Sequence, residues 1–356
     1  MFSKRIEAIS KSLTEEQAAI ISSTANRRYL TGFSSSAGTV VITREKAYFL
    51  VDFRYYEKAK QTVTSACVVL CNSLYKQLNE ILHLHNIKDI LIEVAQLTVS
   101  DFEALKKQLY DFKISKTGDL SNKIAKLRSI KEPTELELIK KAQSITDSAF
   151  GHILKYIKVG VTEKDIMLEL EFFMRKNGSE GVAFDTIAVS GKNSSLPHGV
   201  PSDKKLENGD FLTMDFGAVY GGYCSDMTRT VAIGKISDEQ IKVYNTVLKA
   251  QLAAFEMLSP NTKCSDVDRA ARSVIEKAGF KGCFGHGLGH SVGLEIHESP
   301  ACNTRDETLL KSGMIMTVEP GIYIENCFGV RIEDMAVITE DGFENLTHST
   351  KELIVL

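Results

Sequence analysis

The sequence predicts an α/β chain of two domains, and three observations carry that expectation. At 356 residues the chain is long enough for two hydrophobic cores. Up to about residue 120, short β-branched and aromatic runs alternate with stretches of helical period. Beyond that the order changes, and pairs of long helices are each followed by hairpin-like strands.

In the first part, AAIIS (18–22), GTVVIT (38–43), KAYFLVD (46–52), ACVVLC (66–71) and DILIEV (89–94) read as strands. Residues 2–13, 73–85 and 99–110 have apolar residues at helical spacing, and 55–61 reads as a short helix. LSNKIAKLRSIKEPTELELIKKAQ reads as two helices broken at Pro133, which makes it the best boundary. The expected domains are 1–124 and 125–356. In the second, helices are expected at 134–157, 162–177, 237–257 and 265–278. Strands are expected at 210–220 with 222–234, and at 314–324 with 329–339. Two halves, each a helix pair and then a hairpin, suggest a duplication about a pseudo-two-fold axis. No internal sequence repeat accompanies that layout.

Composition narrows the function classes. The net charge is −3 and no basic block interleaves with aromatics, which argues against a nucleic-acid partner. No run approaches eighteen apolar residues, and MFSKRIEAISKSLTEEQ is amphipathic and carries acids. The expectation is a cytoplasmic protein without a signal peptide or membrane span. Seven scattered cysteines read as reduced thiols. Cys67 and Cys71, spaced like metal ligands, are expected to be core packing in a buried strand. Cys224, beside Asp226, reads as a thiol open to oxidation with no catalytic role.

The chemistry concentrates in a few stretches. TMDFGAVYGGYCSDMTRT (213–230) reads as a hairpin turning at Tyr220-Gly221, so that residues whose numbers sum to 441 face one another and Asp215 meets Asp226. Like charges across a ladder require a cation or a shared proton. The bland alternatives are that the acids face solvent, or that Arg229 neutralises them. HGLGHSVGLEIHE (286–298) places His286, His290 and His297 in a glycine-rich segment. TVEPGIYIE (317–325) and GVRIEDMAV (329–337) read as a second hairpin. Glu319 and Glu333 share a face of it if the turn has an odd number of residues. Asp215, Asp226, His290, Glu319 and Glu333 cannot be buried together without cations. Two divalent ions resolve that conflict, and oxygen-rich ligation with one imidazole suits Mn²⁺, Co²⁺, Fe²⁺ or Zn²⁺.

At these residues the sequence resembles the pita-bread-fold metallopeptidases: aminopeptidase P, prolidase and methionine aminopeptidase. MDFG, SDMTRT, HGLGHSVGLEIHE, VEPGIY and GVRIED match in order and approximate spacing. NRRYLTGFSSSAGTVVITREKAYFLVDFRYYEKA resembles the creatinase-like N-terminal α/β domain of aminopeptidase P and prolidase, which methionine aminopeptidases lack. The resemblance implies a homodimeric exopeptidase holding two divalent ions, manganese first among them. Asp215 would chelate one ion, Asp226 and Glu333 would bridge, and His290 and Glu319 would bind the other. A metal-bridging hydroxide would attack, and Glu319 would carry its proton to the leaving amine.

By the same resemblance His198, in SSLPHGVPSD, would contact the substrate near the scissile bond, and His297 would hydrogen-bond the carbonyl. His286, Arg331 and Tyr323 would support the site or touch substrate. Without the resemblance, His198 is an ordinary loop histidine and Arg331 a partner for Glu333 or Asp334. Asp52 and Arg54 read as a surface pair, or as a pair reaching a partner subunit's site. The expected activity is Xaa-Pro aminopeptidase, releasing the residue before a proline. The alternative is Xaa-Pro dipeptidase (prolidase), in which an arginine often clamps the dipeptide carboxylate. A non-catalytic binding module, or a metal-independent hydrolase like the creatinases, would have lost the ligand residues, and all five are present here.

Overall fold

The computed structural model describes all 356 residues and divides into two compact units, Met1–Arg128 and Ser129–Leu356. The first unit carries strands β1 (Gln17–Ile21), β2 (Thr39–Thr43), β3 (Ala47–Val51), β4 (Cys67–Leu70), β5 (Asp89–Ile92) and β6 (Lys113–Ser115). They form one six-stranded mixed sheet in the order β4-β3-β2-β1-β5-β6. Its helices are α1 (Phe2–Ser10), α2 (Thr24–Thr31), α3 (Phe53–Thr62), α4 (Leu74–Leu84), α5 (Val99–Gln108) and α6 (Asp119–Ser129). Central strands β2 and β3 are buried on both faces, as their continuous apolar runs require. The edge strand β4 is not buried. Cys67 is exposed and Cys71 half-buried, because a strand with one neighbour has nothing to cover its outer side. Asp52 caps α3 and is forked by its neighbour Arg54 at 2.7 and 3.1 Å, an exposed pair within this unit.

The second unit repeats one plan. Helices α7 (Pro133–Ile153) and α8 (Glu163–Lys176) precede β7 (Ile187–Ser190), β8 (Phe211–Phe216), β9 (Val219–Tyr220), β10 (Tyr223–Cys224) and β11 (Met227–Ala232). Helices α9 (Asp238–Phe255) and α10 (Cys264–Lys277) precede β12 (Gly289–Ser291), β13 (Glu298–Cys302), β14 (Ile315–Val318), β15 (Gly321–Ile324), β16 (Phe328–Arg331), β17 (Asp334–Ile338) and β18 (Phe343–Asn345). Capping boxes start α7, α8 and α9 at Glu132/Glu135, Thr162/Asp165 and Ser237/Gln240, and Pro133 occupies the first turn of α7. Each half has its own core. Ile145, Phe150, Leu170, Met214 and Val231 pack in the first, and Val247, Ala271, Met316, Val330 and Ile338 in the second. In each, a three-stranded antiparallel sheet (β11-β8-β7 and β14-β17-β18) continues into a small separate ladder (β9/β10 and β15/β16).

The first hairpin differs from the expected register. Gly221 and Gly222 form the two-residue turn, with φ of 57° and 81°. Two left-handed residues in succession are what a type I′ turn needs, and glycine adopts that conformation at no steric cost. Tyr220 therefore pairs Tyr223, and Asp215 pairs Thr228 instead of Asp226. The shift is two residues, an even number, so Asp215 and Asp226 keep the same face and become diagonal neighbours. In the second hairpin the turn is Glu325-Asn326-Cys327, with Asn326 at φ 57°. Three is odd, and the pairings Val318↔Asp334 and Gly321↔Arg331 bracket Glu319 and Glu333 opposite one another.

Candidate metal centre

The carboxylates lie where the long ladders stop. Asp226 and Glu333 immediately precede β11 and β17, Glu319 immediately follows β14, and Asp215 is the penultimate residue of β8. Oxygens of Asp215, Asp226 and Glu333 all come within 4.8 Å of one another. His290, on β12, completes the group: its Nε2 is 3.4 Å from Glu319 Oε1 and 3.6 Å from Asp226 Oδ2. Thr317 ties these elements together, accepting from His290 N at 2.9 Å and donating to Glu319 Oε1 at 3.2 Å.

Electrostatics shows that the cluster is incomplete by itself. Burial first, and the neighbouring carboxylates second, push Asp226 and Glu333 well above the usual carboxylate range. Burial, with Asp215 adding to it, raises Glu319 to about 8, although Arg331 opposes the shift. Burial also lowers His290 to about 4, so its ring is neutral at pH 7. Its Nδ1–H donates to Ser291 O at 3.1 Å, which leaves the Nε2 lone pair facing two carboxylates. With the ring neutral, those contacts are not ion pairs. Two further oxygens, Asp215 Oδ1 and Glu333 Oε1, are buried without any hydrogen-bond donor. Hard oxygen donors and an imidazole lone pair, converging and unsatisfied, fit divalent cations.

One cation is built in, and it is not where the bland readings put it. Arg229 points away from the aspartates, pairing Asp334 at 2.6 Å and donating to the carbonyls of Glu333, Ser349 and Thr350. Arg331 pairs with neither Glu333 nor Asp334. Its Nη2 holds Asp215 Oδ2 at 2.7 Å, its Nη1 donates to Tyr323 Oη at 2.7 Å and its Nε to Thr228 Oγ1 at 3.0 Å. Thr228 in turn donates to Glu333 Oε2 at 2.7 Å. His286 Nε2 lies 3.0 Å from Tyr323 Oη, and burial lowers its pKa to about 4. Burial also raises the Tyr323 phenol to about 12, so it stays protonated between them.

These groups open into a cleft of about 1300 Å³. His198 and His297 are exposed on its walls, and the His297 ring meets that of His290 edge-on with centroids 4.5 Å apart. Cys224, by contrast, is buried. The cleft also holds Arg305, which sequence reading passed over. It is exposed in the loop after β13, and its guanidinium has no ion-pair partner. A lone arginine in CNTRDET carries no spacing or periodicity that would mark it. Thr228 was findable: recognition of Gly221-Gly222 as a type I′ turn places it opposite Asp215.

A buried carboxylate–imidazole cluster opening into a cleft has the donor set of a metal-dependent enzyme. Comparison with known proteins makes the class specific. Residues 137–340 match metallopeptidase family M24, and residues 5–130 match the creatinase/prolidase N-terminal domain. A solved Xaa-Pro dipeptidase from Bacillus anthracis superposes with TM-score 0.96 at 40% identity, covering 100% of both chains. An X-Pro aminopeptidase from Thermotoga maritima superposes with TM-score 0.91 at 37% identity, covering 98% of this chain and 100% of that one. The Xaa-Pro dipeptidase of Pyrococcus horikoshii is 39% identical over 339 residues, covering 95% of this chain and 94% of its own. The chain belongs to metallopeptidase family M24: it is a peptidase of the pita-bread fold with a creatinase-type N-terminal domain.

Proposed function

We propose that this protein is a metal-dependent Xaa-Pro dipeptidase, cleaving the bond between an N-terminal residue and a C-terminal proline. That reading displaces the aminopeptidase expected first from the sequence. The observation that carries it is Arg305, an unpaired guanidinium in the cleft that holds the carboxylate cluster. A dipeptide presents its carboxylate one residue beyond the scissile bond, and a free guanidinium in the cleft is suited to bind it by paired hydrogen bonds. The Xaa-Pro dipeptidases among its relatives support the same reading. The T. maritima X-Pro aminopeptidase, and a cleft larger than a dipeptide needs, favour the aminopeptidase as the second reading.

Asp215, Asp226, His290, Glu319 and Glu333 would hold two divalent ions, manganese first, with cobalt, zinc and iron as chemically similar candidates. Such ions supply Lewis acidity and bring the attacking water within reach of a carboxylate base at neutral pH. The chain's own residues do the rest. Glu319, oriented by Thr317, takes the proton of that water and delivers it to the proline nitrogen as the C–N bond breaks. His297 donates to the carbonyl oxygen as negative charge develops there, and His198 contacts the substrate from the facing loop. Arg331, braced by Tyr323 and Thr228, holds the Asp215 carboxylate in place. Proline needs a dedicated site because its tertiary amide and fixed φ fit few general peptidases.

Replacement of Arg305 tests the reading. Charge-assisted hydrogen bonds are each worth about 1.5–3 kcal/mol, so Arg305→Ala should raise the KM for Ala-Pro roughly 10–100-fold and leave metal content unchanged. An unaltered KM would remove the support that Arg305 gives to the dipeptidase.

A further inference from the structure

The glutamates Glu319 and Glu333 sit in a gap between two ladders. Pairing of β14 with β17 ends at Val318↔Asp334, and pairing of β15 with β16 resumes at Gly321↔Arg331. In that gap the amide of each glutamate is held from outside, Glu319 N by Leu288 O at 2.9 Å and Glu333 N by Thr228 O at 3.1 Å. The carbonyls of the same two peptide units belong to Val318 and Ile332, and both accept from one side chain. Gln251, on α9, donates its Nε2 to Val318 O at 3.2 Å and to Ile332 O at 3.3 Å. It is completely buried. Its two amide hydrogens thus join the two peptide planes that carry the glutamates, spanning the place where the sheet has no rungs. Its Oε1 has no partner, so donation is all that the amide contributes.

We propose that Gln251 is a positioning residue for the metal centre, fixing the separation of Glu319 and Glu333 through their backbones. It touches neither carboxylate. The inference rests on the reading of those two glutamates as metal ligands. Groups that orient ligands from behind typically change metal affinity 10–100-fold when removed.

The test is Mn²⁺ affinity of the metal-stripped full chain, measured by chelator competition. Gln251→Met preserves side-chain length and forfeits no acceptor bond, because Oε1 makes none. Gln251→Asn keeps an amide but is a methylene too short to bridge, and it serves should methionine impair folding. Either variant should bind Mn²⁺ about 10–100-fold more weakly, with turnover recovered at higher Mn²⁺. Val247→Ala, one turn earlier on the same helix and in the same core, should lower the melting temperature and leave affinity intact. Wild-type affinity in the Gln251 variants would overturn the proposal, as would equal weakening in Val247→Ala. Asp226→Asn in the same titration separates the two levels. If it weakens binding and Gln251→Met does not, only the positioning role fails; if it does not weaken binding either, the ligand reading fails with it.

Discussion

Loading the metal-free protein with Mn²⁺ at pH 7 should release protons, close to one of them from Glu319 alone. Glu319 titrates at about 8, so at pH 7 roughly nine in ten molecules carry its proton. Burial and the neighbouring carboxylates hold Asp226 and Glu333 well above the usual carboxylate range as well. Cation binding requires the ionised forms, so Glu319 gives up close to one proton, and the upward shifts of Asp226 and Glu333 add to the release. Isothermal titration in two buffers of different ionisation enthalpy measures the count directly. Release of less than one proton would show that the carboxylates are already ionised without metal, which would refute the account of their burial. The same shifts fix a stability trend in the metal-free protein. A carboxyl raised in the folded state contributes stability that is complete below its unfolded pKa, near 4.5 for Glu319, and is lost as pH rises through about 8. The metal-free form should therefore melt at falling temperature between pH 5 and 8, at a slope of up to about 1.4 kcal/mol per pH unit for each such group. The Mn²⁺-loaded form should not follow it.

Two further outcomes separate the roles of individual residues. Asp226→Ala should lose both metal retention and hydrolysis, whereas His297→Ala should keep its metal, by elemental analysis, and lose turnover about 10²–10³-fold as an oxyanion donor would. Glu163 is buried on α8 and clamps both ends of the loop bearing His198, accepting from Ser190 N at 2.6 Å, Asn193 Nδ2 at 3.2 Å and Ser202 N at 3.0 Å. Glu163→Ala should cost on the order of 3 kcal/mol by leaving buried donors unpaired, read as a melting-point drop of roughly 6–12 °C. A drop below a few degrees would mean that the loop is held by something else.

Much of this fold is legible in residue patterns because periodicity reports faces. The alternation in FLTMDFGAV puts Asp215 and Asp226 on one face in any register that differs by an even number, so an error of two residues left the grouping intact. Register itself depends on turn geometry, and choosing Tyr220-Gly221 over Gly221-Gly222 misplaced every partner along the ladder. Burial on an edge is equally invisible. ACVVLC has the apolar content of an inner strand, and only the sheet order places Cys67 on the outside. Groups that act from other elements escape altogether. Arg331 reaches Asp215 across 116 positions, while Gln251 and Glu163 are single polar residues in ordinary amphipathic helices. Nothing local distinguishes them from surface residues, since their partners are backbone groups and side chains brought near only by folding.

The most direct test of the central claim is hydrolysis of Ala-Pro against Ala-Pro-Ala by the metal-stripped protein, before and after addition of Mn²⁺. No turnover is expected without metal, and Mn²⁺ should bring cleavage of Ala-Pro with little cleavage of the tripeptide. Faster cleavage of Ala-Pro-Ala would make the protein an aminopeptidase with an open cleft, and inactivity on both with Mn²⁺, Co²⁺ and Zn²⁺ would contradict the peptidase mechanism itself.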